Sequence, residues 1–125
     1  MSALIANVLH EESGPDCSAV MKAEDRLLNS AATVVEALIV AHRRDAREEM
    51  RTLLDGAEFD IVPVTADQTR RIAGAHARWG TGAKTAGLNF GDCFSYDVAK
   101  ANDCPLLYVG RDFAKTDVKS ALKKK

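Results

Sequence analysis

The chain has 125 residues, 28% of them charged, with 17 Lys and Arg set against 18 Asp and Glu for a formal net charge of −1. That length suits one domain with an ordinary core, and the charge balance argues against a uniformly basic nucleic-acid-binding protein, so any phosphate-binding surface must be local. Cys17, Cys93 and Cys104 form no CxxC and pair with no His, which points to reduced thiols in a cytoplasmic protein and away from a disulfide frame or zinc site. No apolar run approaches the ~18–20 residues of a membrane span, and the N-terminus has no signal-type segment.

In chain order, Leu4, Ile5, Val8 and Leu9 recur at helical spacing in residues 2–11, and Gly14-Pro15 ends that helix. Pro15 in a first turn opens a second helix to about Asp25, and residues 26–30 read as a short strand. Thr33-Val34-Val35-Glu36 matches a capping box, predicting one helix to about Asp55 with Gly56 as its stop. Residues 59–64 are β-branched and alternating, a strand, and Thr65 or Asp67 caps a helix to Trp79. Gly80–Gly87 is a glycine-rich loop. A helix over 89–103 follows, and Pro105-Leu106-Leu107-Tyr108-Val109 has the unbroken apolar character of a buried parallel strand. Strands alternating with helices imply an α/β fold with a parallel sheet flanked by helices, in three layers. Such a domain normally opens on a strand, whereas this chain opens in a helix.

In a parallel sheet, strand ends and the following helix starts share one edge, where ligands bind. Glu36, Asp92 and Asp112 map to that edge, with Asp117 five residues beyond Asp112. Each has a local alternative: Glu36 and Asp92 as the third residue of capping boxes begun by Thr33 and Asn89, Asp112 and Asp117 as turn residues. Gathered on one edge, however, carboxylates repel unless a cation neutralises them. All-oxygen ligation suits Mg²⁺ or Mn²⁺, and such an ion can hold a phosphate oxygen while activating water, the logic of phosphodiester hydrolysis. Asp97 lies on the line of Phe90 and Phe94, nearly opposite Asp92, and points toward the core or a partner.

Three segments, Ser30-Ala31-Ala32-Thr33-Val34-Val35-Glu36, Leu88-Asn89-Phe90-Gly91-Asp92-Cys93, and Leu106-Leu107-Tyr108-Val109-Gly110-Arg111-Asp112-Phe113 with Lys115-Thr116-Asp117, together resemble the PIN domain. The resemblance is specifically to the VapC-type toxins of bacterial toxin–antitoxin pairs, and it covers nearly the whole chain. It implies a Mg²⁺- or Mn²⁺-dependent ribonuclease that cuts structured RNA such as tRNA or rRNA, works as a homodimer, and is inhibited by a small VapB-type antitoxin. On that pattern Glu36, Asp92 and Asp112 are metal-site acids, and Asp117 is a fourth.

The chain departs from the pattern at its start. The family opens with a short apolar strand ending in an acid, then Thr-Ser-Ala-Leu; here Met1 stands at the Thr, and Ser2-Ala3-Leu4-Ile5-Ala6 continue the motif. The first strand and its aspartate are thus expected to be missing, through a misplaced start or a trimmed chain. The leading reading remains the enzyme; the alternative is a PIN-like binding module without catalysis because an acid is missing, and a chain that truly begins at Met1 is expected to show weak or no nuclease activity and poor stability.

Lys84 in the glycine-rich loop, Arg78, and Arg111 beside Asp112 are the candidate RNA contacts, each with solvated surface charge as its alternative. Trp79 reads as a core or dimer anchor. His10, His42 and His76 share no metal spacing. A phosphoacceptor receiver domain also gathers acids around Mg²⁺, but it needs an Asp ending a central strand, and neither residues 26–30 nor 59–64 end in one.

Overall fold

The computed structural model describes residues 1–56, 59–82 and 86–122. Helices α1 (Ser2–Val8) and α2 (Gly14–Ala23) lead into strand β1 (Leu28–Ser30); α3 (Ala31–Arg43) and α4 (Arg47–Gly56) lead into β2 (Asp60–Val62); α5 (Thr69–Trp79) and α6 (Phe90–Ala101) follow. The strands pair in parallel, Leu28 with Asp60, Asn29 with Ile61 and Ser30 with Val62. This is the expected α/β class, with six α-helices and a two-stranded parallel sheet among the described residues.

Two local expectations change. Ser30, not Thr33, caps α3, its Oγ accepting the Ala32 N–H at 3.2 Å. Ser30 is extended and comes first, so the helix starts before Thr33 can act. The Thr33 hydroxyl is used elsewhere, sharing a 2.9 Å hydrogen bond with Ser95 Oγ across to α6. The single helix expected to run to Asp55 is also broken. Asp45 takes a left-handed φ of 59° between α3 and α4, which brings Ala46 and Met50 into the core.

The strand expected over 105–109 forms no ladder with β1. Its one bridge pairs Leu106 with Ser120, held by Leu106 N–H to Lys119 C=O at 2.8 Å and Ala121 N–H to Leu106 C=O at 2.9 Å. A ladder needs a neighbour at strand spacing, and between this segment and β1 lies a groove of about 390 Å³, lined by Leu28, Ser30, Leu4, Val98, Leu106 and Leu107 among others. The strand-like alternation survives nonetheless. Leu107 and Val109 pack on the core of α1–α4, where Cys17, Ala37, Ala41 and Met50 are fully buried. Leu106 and Tyr108 face a second core of α5 and α6, built on Trp79, Leu88, Cys93, Tyr96 and Phe113. A strand layer between two helical cores is the three-layer arrangement the alternation predicts. Ser2 Oγ accepts the Val109 N–H at 2.9 Å and ties the first turn of α1 to this layer.

Candidate active site

The start of α6 is built by a capping box. Asn89 Oδ1 accepts the Asp92 N–H at 2.9 Å, and Asp92 Oδ2 accepts the Asn89 N–H at 3.0 Å. One Asp92 oxygen is therefore spent on the backbone, and the helix dipole favours the charge there. Glu36 has no such local duty: with Ser30 as the cap it stands in the second turn of α3, beyond reach of the helix's first N–H groups. Its carboxylate instead lies against the backbone of Gly91, where an added Cβ would meet Oε2 and come within 2.7 Å of Cδ and Oε1. Glycine is what allows the Glu36 carboxylate to lie so close to the start of α6.

The two half-buried acids feel one another. Burial raises the Glu36 pKa above the usual carboxylate range; the Met1 amino group opposes the rise and Asp92 adds to it. Asp92 is likewise raised, first by burial, against the Asn89 hydrogen bond and the Met1 amino group, and with the Asp112 charge. The Met1 amino group is itself buried beside the pair; burial lowers its pKa while Glu36 and Asp92 act the other way. Asp112, exposed at the head of a 3-10 turn over Phe113–Lys115, completes the group as a charge within reach of Asp92.

Asp117 does not join them. Its Oδ1 accepts the Tyr96 hydroxyl at 2.6 Å and its Oδ2 lies 3.3 Å from Lys100 Nζ and 3.8 Å from Arg78 Nη1. Tyr96 and Lys100 depress its pKa. Arg78 stacks its guanidinium 4.4 Å from the centre of the Trp79 ring, and Trp79 is buried with Nε1 donating to the Tyr96 hydroxyl at 3.1 Å, a core anchor as expected. Arg111 is exposed beside Asp112. Lys84 lies outside the described residues. Asp97 is buried and clamped by Arg71, Nε to Oδ1 at 2.9 Å and Nη2 to Oδ2 at 3.0 Å, away from the acidic group. Reading the sequence missed Tyr96, although Asp92, Tyr96 and Lys100 at i, i+4 and i+8 mark one face of α6.

Residues 2–119 match the PIN domain. The chain belongs to this family. At 38% identity over 120 residues, covering 94% of this PIN domain and 92% of the relative, it is similar to ribonuclease VapC30 of Mycobacterium tuberculosis and to VapC ribonuclease Mb0640 of Mycobacterium bovis. Ribonuclease VapC28 of Mycobacterium tuberculosis is 37% identical over 125 residues, 97% and 94% of the two chains. The acids of this PIN domain fit a hard divalent cation. They offer oxygen donors alone, and their ionisation is opposed by burial and by each other, which a cation would relieve. Among the described residues no three Asp, Glu, His or Cys side chains stand together so as to hold a metal ion, which leaves the Glu36–Asp92 pair as the donors, and Mg²⁺ commonly takes only one or two protein carboxylates and keeps waters.

Proposed function

We propose that this PIN domain is an endoribonuclease toxin that hydrolyses phosphodiesters of structured RNA, of the tRNA or rRNA class, with Mg²⁺ or Mn²⁺. The observation that carries the reading is the Glu36–Asp92 pair: two half-buried carboxylates from different helices, each with its pKa raised and with Asp112 beside them. The relatives are all named ribonucleases, which supports RNA as the substrate. Glu36 and Asp92 would hold the cation, and Asp112 would complete its surroundings from the 3-10 turn. A bound divalent cation supplies charge neutralisation at the phosphate and a water of lowered pKa. The chain's own part is to hold the two carboxylates in place: the capping box orients Asp92, and the Gly91 backbone leaves room for Glu36 beside it. Arg111 and Lys84 are assigned to flanking phosphates, whereas Arg78 is engaged with Trp79 and Asp117 and contributes there.

A small VapB-type antitoxin is the proposed inhibitor. Val35 and Ile39 on α3 and Phe90 on α6 are large, apolar and exposed on the two helices that carry Glu36 and Asp92, and they give such a partner apolar surface. A homodimer in the cytoplasm is the proposed working form; no helix among the described residues is long and apolar enough to cross a membrane. The test is cleavage of folded tRNA with and without Mn²⁺, beside Glu36→Gln and Asp92→Asn. Each variant is expected to lose at least ~100-fold in rate while keeping its thermal unfolding midpoint within a few degrees. Cleavage that ignores both substitutions, or that survives chelation, would overturn the reading.

A further inference from the structure

We propose that Asp117 is a positioning residue for Asp112, acting through the Tyr96 hydroxyl. The inference rests on the reading of Asp112 as a site acid and assigns the expected fourth acid a different role. Asp92, Tyr96 and Lys100 repeat every four residues on α6, so they line one face at steps of about 6 Å along the axis. Facing them is the 3-10 turn Phe113–Lys115, with Asp112 at its head and Asp117 just past its end. The pairing keeps one order: Asp112 acts on Asp92, while Asp117 binds Tyr96 and Lys100.

The turn between them is stiff. Phe113 is buried against Tyr108 with ring centres 5.5 Å apart, and its carbonyl receives both the Thr116 N–H at 3.0 Å and the Thr116 hydroxyl at 2.7 Å. Thr116 Oγ1 in turn accepts the Val118 N–H at 3.3 Å. A stiff turn pinned at its far end has its near end placed. The pin is directional as well: Trp79 Nε1 donates to the Tyr96 oxygen, so the Tyr96 proton is aimed at Asp117, and the 2.6 Å bond to a carboxylate is of the short, charge-assisted kind. Both Asp117 oxygens are engaged there, one to two turns of α6 away from Asp92.

The test compares wild type, Tyr96→Phe, Asp117→Asn and the double variant by two readouts that need no RNA. The first is amide hydrogen exchange of the metal-free protein at Lys115, Thr116 and Val118, referenced to Ala37 and Ala41 in α3. The second is Mn²⁺ binding, followed by electron paramagnetic resonance of the free ion. Each single variant is expected to speed exchange in the turn about tenfold with the α3 amides unchanged, as loss of one hydrogen bond to a charged group implies. Each is also expected to weaken Mn²⁺ binding about tenfold, and the double variant to be no worse than either single one. Asp117→Asn abolishing Mn²⁺ binding while Tyr96→Phe leaves it at wild type would make Asp117 a ligand and overturn the proposal. So would unchanged exchange in the turn of Tyr96→Phe, or exchange that speeds equally in the turn and in α3. Wild type that binds no Mn²⁺ would sink the proposed function instead, and the exchange comparison would still decide whether Asp117 sets the turn that carries Asp112.

Discussion

Gly91→Ala separates the site from the fold. A Cβ at Gly91 would lie 2.7 Å from Glu36 Cδ and closer still to Oε2, and ordinary contact begins at 3.4 Å, so the carboxyl group must retreat by at least about 0.7 Å. Nothing in the backbone resists the substitution, since Gly91 is inside α6 with helical geometry. Alanine there gains roughly 0.5–1 kcal/mol from helix propensity and a less flexible unfolded chain. Pushing Glu36 off its rotamer costs about 0.5–1.5 kcal/mol. The two nearly cancel, and the unfolding midpoint should move by no more than a few degrees. Activity should respond differently, because an acid misplaced by most of an ångström costs on the order of 100-fold. Thermal unfolding and Mn²⁺-dependent tRNA cleavage, measured on one preparation, decide the matter. Wild-type cleavage by a folded Gly91→Ala protein would refute the claim that the space at Gly91 places Glu36, and so would a loss of activity matched by loss of fold.

Asn89→Ala removes the cap of α6 and should lower stability by about 1 kcal/mol in denaturant unfolding, since the Asp92 N–H loses its side-chain acceptor. The pH profile of the metal-free protein carries a sign. Glu36 and Asp92 have folded pKa values raised above their unfolded ones, so their contribution is fully present below the ordinary carboxylate range and is lost as pH rises through the raised values. Thermal midpoints between pH 7 and pH 4 should therefore fall less steeply on acidification in wild type than in Glu36→Gln, and saturating Mg²⁺ should erase the difference by favouring the ionised pair. Identical profiles for the two proteins would count against a coupled site.

Local signals were legible where the competing interactions were also local. Asn89 and Asp92 stand three apart at a helix start and bond each other, as their spacing predicts. The same pattern misled at Thr33 and Glu36, because Ser30 caps first and the Thr33 hydroxyl finds Ser95, 62 residues away. That failure strengthens the site, since it frees Glu36 from the cap reading. The break at Asp45 was hidden among residues that tolerate helix, and only packing of Ala46 and Met50 into the core accounts for it. The run at 105–109 shows its alternation in which core each side chain enters, but a hydrogen-bond ladder depends on a neighbour, which periodicity within one segment does not report. Asp117 could not be separated from Asp112 by spacing, because a 3-10 turn carries the chain along α6 instead of back to its start.

The helices α3 and α6 meet at the Thr33–Ser95 hydrogen bond and at Gly91, against which the Glu36 carboxylate lies. Either hydroxyl can donate in the Thr33–Ser95 bond, so it tolerates small rotations of one helix against the other. The gap between Glu36 and Asp92 is then set like the jaws of a caliper, by how far apart two rods are held some way behind the tips. Bulk added or removed at position 95 would reset that gap with every carboxylate left in place, so the spacing of the acid pair is adjustable from a residue that is not itself an acid.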